Sequence, residues 1–205
     1  MEGFLIVART LHFTATITLT GVFAFERLVA DPAFRRSGAA SEGAVELRRR
    51  LGWLAWASLA LALVSGAAWL VAVAAGMSGK PLGAALSQGA VAVVLTRTRF
   101  GEDWLLRFAL AVLLGLCLLG QRRRAGGGLS WMALFLAGGM LASLAWAGHG
   151  AATPGPPGDL HLTADILHLL AAGLWLGTLP PLILLLAEAR RTRDANWTAV
   201  ARTAT

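Results

Sequence analysis

Apolar residues in this chain come in long runs, and the polar residues are gathered between them. A bilayer core takes about 20 predominantly apolar residues per helix. Five segments predict spans, at about 3–25, 51–76, 104–120, 131–147 and 160–187. The first is interrupted by Arg9 and His12, and the third carries Arg107 near its start. A further apolar stretch, 82–96, is too short for a comfortable span and reads as an interfacial or re-entrant helix packed on the bundle. The predicted class is all-α: a polytopic membrane helix bundle of five transmembrane helices plus one short interfacial or re-entrant helix, forming a single integral membrane domain over 1–205.

The positive charges fix a direction for these spans. Arg27, Arg35, Arg36, Arg48, Arg49 and Arg50 follow the first span, and Arg122, Arg123 and Arg124 follow the third. The tail holds Arg190, Arg191, Arg193 and Arg202, whereas residues 148–159 contain no Lys or Arg. The segment after span two holds Lys80, Arg97 and Arg99. The positive-inside rule then predicts an external amino terminus and a cytoplasmic tail, which five spans satisfy and six do not. The opening MEGF has an acid and no positive charge before the apolar run, so the first run is expected to be a retained helix rather than a cleaved signal peptide.

Composition agrees with this picture. The chain is 57% hydrophobic and 14% charged, well below the roughly 25% charged residues of a soluble domain. The net charge of +7 sits in the short arginine segments between apolar runs, a pattern that argues for a lipid bilayer and against nucleic acid as partner. The single cysteine, Cys117, excludes an intrachain disulfide and any Cys-pair metal motif. Several of the eight tryptophans lie near span ends, where interfacial anchors are expected.

The candidate chemistry lies inside the membrane. His161, Asp165 and His168 are spaced by four and three residues, so they share one face of span five. Ionisable groups at such depth mark a site by default. At 1.5 Å per residue, His12 lies about 13 Å down span one and His168 about 12 Å down span five. Arg9 and Asp165 are each one turn shallower. The expectation is a polar cluster between spans one, four and five. His12 and His168 form its inner layer, Met140 is a candidate soft third ligand, and His149 and His161 stand at the mouth. Arg9 pairs with Asp165, or Asp165 orients a histidine. Imidazole with thioether favours copper over hard cations.

Blander roles stand beside each of these. His12 alone can serve as a hydrogen-bonding residue between helices, Arg9 and Asp165 as a self-neutralising pair, and Met140 and Cys117 as core filler. Equal depth also suits a b-type haem ligated by His12 and His168, and a non-catalytic assembly subunit is a third reading. Gly173 and Gly177 predict a close helix contact, and Pro180 and Pro181 a kink towards the inner end of span five. There is no nucleotide-binding loop and no nucleophile–base constellation, so no enzyme is expected.

Four segments also carry a resemblance. They are ARTLHF at 8–13 with Gly21, TRFGEDWLLRFAL from Thr98, GHG at 148–150 before a Pro/Gly loop, and LHLTADILHLLAAGLWLGTLPPL from Leu160. Together they resemble the copper resistance protein D family. The resemblance implies a bacterial inner-membrane protein that moves copper from periplasm towards cytoplasm in copper homeostasis or resistance, alongside a CopC-like periplasmic copper-binding partner. It also implies that His12, His149, His161 and His168 fall on the family's histidine positions. Family members are usually longer, which makes this chain correspond to the amino-terminal part or to a truncated member. The four methionines are too few to outline a Met-lined conduit.

Overall fold

The computed structural model describes residues 2–37, 42–123, 127–148 and 155–192, and no strand occurs among them. Helix α1 (Glu2–Phe25) passes through a π-helical turn (Glu26–Ala30) into α2 (Asp31–Ser37). Then come α3 (Glu42–Ser78), the short α4 (Leu82–Ser87) and α5 (Ala90–Arg97), and α6 (Arg99–Arg123). Helix α7 (Gly127–Ala142) tightens into a 3-10 turn (Ser143–Ala147), and α8 (Pro156–Trp175) is followed by α9 (Leu179–Thr192). Five helical stretches are long and apolar enough to cross a membrane: Glu2–Arg35, Gly43–Ser78, Arg99–Gln121, Gly128–Ala147 and Pro156–Arg191. Each contains one of the spans read from the sequence. The protein is an all-α, multi-pass membrane helix bundle.

The departures have local causes. Helix α3 starts at Glu42 rather than near residue 51, because its arginine-rich lead-in is itself helical. There Glu46 receives hydrogen bonds from Arg49 and from Arg50, each 2.7 Å at its shortest, at helical spacing. The 82–96 stretch is two helices, broken at Gly89, whose φ of +74° ends a right-handed helix. Helix α6 then starts at a tight corner. The Thr98 hydroxyl accepts the Gly101 N–H at 3.0 Å, a helix cap. A Cβ at Gly101 would collide with the backbone of Val94 and Leu95 on α5. The expected kink occurs at residues 176–178. Pro180 and Pro181 fall in the first turn of α9, where a missing N–H costs nothing.

Helix α1 is the hub, packing on α3, α7, α8 and α9. Its segment Leu19–Phe25 is buried all round, and the Thr20 hydroxyl lies 3.1 Å from the Ala137 carbonyl of α7. The main apolar core gathers Leu19, Phe23, Leu47, Leu51, Leu114 and Leu185. At one end of the bundle, Glu188 of α9 meets Arg191 at 2.6 Å and Arg50 of α3 at 3.7 Å. Asp31 of α2 meets Arg27 and Arg48. The end of the first span, the start of the second and the end of the fifth therefore share one side, as an odd number of crossings requires.

Candidate functional site: a boxed histidine and an open ionisable face

The contact between α1 and the α8–α9 joint sets the position of every candidate histidine. A Cβ at Gly21 would fall onto the backbone of Gly177, and one at Gly173 would meet Leu141 at 2.6 Å and Thr20 at 3.2 Å. Small residues let the two backbones touch. His12 lies nine residues before Gly21 and His168 nine before Gly177, while Arg9 and Asp165 each lie twelve before. The two helices run in the same direction, so the equal levels expected from counting are kept.

Rotation about the helix axis separates what depth aligns. At about 100° per residue, nine residues turn His12 about 180° from Gly21, and five turn His168 about 140° from Gly173. The histidines therefore point away from the contact on opposite sides. His12 is 2% exposed, whereas His161, Asp165 and His168 are all exposed. This arrangement also removes the face-to-face geometry that a haem held between His12 and His168 needs.

His12 sits in an aromatic box. Its Nδ1 lies 2.9 Å from the Ala62 carbonyl of α3. A carbonyl only accepts, so Nδ1 carries the proton and the lone pair is on Nε2. The ring lies 5.7 Å from Trp69 and 5.4 Å from Trp104, between centroids. A Cβ at Gly66 would come within 2.8 Å of Trp104 and 3.1 Å of the His12 ring, so only glycine leaves room for that packing. Above the tryptophans lies Arg107, 2% exposed. Its guanidinium carbon is 5.1 Å from the Trp104 ring and 5.8 Å from Trp69. It donates from Nε to the Ser143 hydroxyl at 3.0 Å and from Nη2 to the Ser143 carbonyl at 2.7 Å.

The face on α8 is built differently. His161, Asp165 and His168 make no hydrogen bond or ion pair among the described residues. The expected Arg9–Asp165 pair does not form there. Arg9 instead lies 5.1 Å over the Trp69 ring of α3. The Asp165 carboxylate lies 3.5 Å from the position a Cβ would take on Gly148. His149, the next residue, lies outside the described residues. Met140 is buried in the main apolar core, a cluster distinct from the one holding Trp69 and Trp104. No group of three or more His, Cys, Asp or Glu able to hold a metal ion occurs among the described residues. Within the face, His161 to Asp165 spans about 6 Å along the axis and Asp165 to His168 about 4.5 Å, so each pair can bracket one ion. His161 and His168, about 10.5 Å apart along the axis, cannot share one.

Arg107 stands out in the sequence as a charge near the start of a span, whereas Trp69, Gly66 and Ser143 do not. A charge within an apolar run was the available signal. Nothing in the residue pattern announced its serine partner on another helix.

Residues 1–159 match the family described as copper resistance protein D-like, N-terminal domain. Copper resistance protein D of Pseudomonas syringae pv. tomato is 34% identical over 186 residues, covering 88% of this chain and 55% of the relative. The chain thus spans about half the length of the curated relative it matches. No solved structure matches it. With the family match covering most of its length, the chain belongs to the copper resistance protein D family.

Proposed function

We propose that the protein captures copper at the α8 face and passes it inward across the bacterial inner membrane, with its amino terminus periplasmic and its tail cytoplasmic. The carrying observation is the exposed His161–Asp165–His168 ladder, in a member of this family, with no partner for it among the described residues. Copper is the cargo. His149 and His161 meet it at the mouth, where a CopC-like periplasmic protein delivers it. The ion moves from the His161–Asp165 pair to the Asp165–His168 pair, one turn deeper. Imidazole and carboxylate serve Cu(II), and imidazole serves either oxidation state. His12 is a further imidazole at this level, inside the bundle and on the far side of the α1–α8 contact from His168, with its lone pair on Nε2. The protein itself performs no bond-making chemistry in this scheme.

Metal analysis and an absorption spectrum of the detergent-purified protein test the proposal. Stoichiometric copper, lost in His168→Ala, is expected. A Soret band, or no copper after growth in copper-replete medium, would overturn it.

A further inference from the structure

Among the described residues, Glu188 and Arg27 of the bundle have ion pairs and Arg107 has none. Glu188, 0% exposed, is met by Arg191 and Arg50. Arg27, whose guanidinium lies 5.0 Å from the Trp131 ring, is paired with Asp31. Arg107 has a comparable setting over Trp104 and Trp69, but only neutral serine oxygens as partners. No acid lies within ion-pair distance of it among the described residues, Asp103 on the preceding turn included. Its Nη1 is buried without a hydrogen-bond partner, and so is Nε1 of Trp104, three residues earlier on the same helix. Trp104 is 8% exposed.

A guanidinium in a membrane interior needs an opposite charge or a full set of acceptors, and an unmade hydrogen bond there carries the whole desolvation cost. Two orphan donors beside a positive charge that only Asp103, beyond ion-pair distance, offsets make the reverse of a cation site. The two serine contacts fix the guanidinium and leave one edge of it free. The His12 lone pair is an acceptor and adds no positive charge.

The geometry points to a binding site for one small monovalent anion, of the halide class, held by Arg107 Nη1 and Trp104 Nε1 in the outer half of the bundle. The anion neutralises Arg107 and satisfies both donors. The site involves none of the α8 residues assigned to copper capture, so its failure and the failure of the copper reading are separate results.

The test is equilibrium binding of radiolabelled chloride to the full chain in detergent, exchanged into gluconate. One saturable chloride per chain is expected, displaced by bromide. Arg107→Gln should abolish it. Trp104→Phe keeps the ring and removes only the N–H, and should weaken binding about tenfold. It also decides the matter if Arg107→Gln fails to fold. Absence of saturable binding in the natural chain, as when water fills the site, overturns the inference. So does a Trp104→Phe affinity within about threefold of the natural one.

Discussion

The two sides of the α1–α8 contact hold histidines at one level and treat them in opposite ways. On the α1 side, His12 is buried, its Nδ1 is bonded to the Ala62 carbonyl, and two indoles and a glycine fix its ring. On the α8 side, His161, Asp165 and His168 are open and bonded to nothing described. The difference shows that depth and rotation are independent determinants of a membrane site. One glycine contact enforces the first while turning the side chains apart. A pinned, boxed imidazole suits a fixed structural or receiving role, whereas an open ladder suits capture and release.

The largest break in this comparison is at the shared contact. Gly177→Leu forces the α1 and α8 backbones apart and should cost about 3 kcal/mol or more, read as loss of folded protein in detergent thermal melts. His12→Ala should follow, at about 2 kcal/mol, because it removes a buried ring and its hydrogen bond to the Ala62 carbonyl. Gly66→Ala presses on Trp104 and His12 without touching α8. It should cost about 1–2 kcal/mol and leave copper binding on α8 intact, which separates the two regions most cleanly. Smallest of all is His168→Ala, under about 0.5 kcal/mol in the same melts, since its side chain is exposed. A large loss there would mean that the face is packed against part of the protein and is not open.

The sequence disclosed the five spans because a lipid core imposes long apolar runs, and it disclosed the kink because prolines cannot sit in a helix interior. It hid the start of α3 because arginine and glutamate end an apolar run without ending a helix. The break inside 82–96 rested on one glycine, Gly89. For the site, the spacing that put His161, Asp165 and His168 on one face was legible, as was their level with Arg9 and His12. The angle between faces was also present in the residues. Gly173 marks the side of α8 that touches α1, and His168 stands about 140° around from it. A glycine contact with α1 and a histidine site shared with α1 need different faces of α8, and the glycine contact is the one that forms. The Arg107–Ser143 link was not legible, since it joins α6 to the end of α7 through long-range packing that no local pattern encodes.

The most direct test of the central claim is copper binding measured side by side in the natural chain, in His12→Ala, and in the double variant His161→Ala with His168→Ala. Copper affinity should be kept in folded His12→Ala and lost, with thermal stability unchanged, in the double variant. Copper retained by the double variant and lost in His12→Ala would contradict the account and move the capture site into the aromatic box.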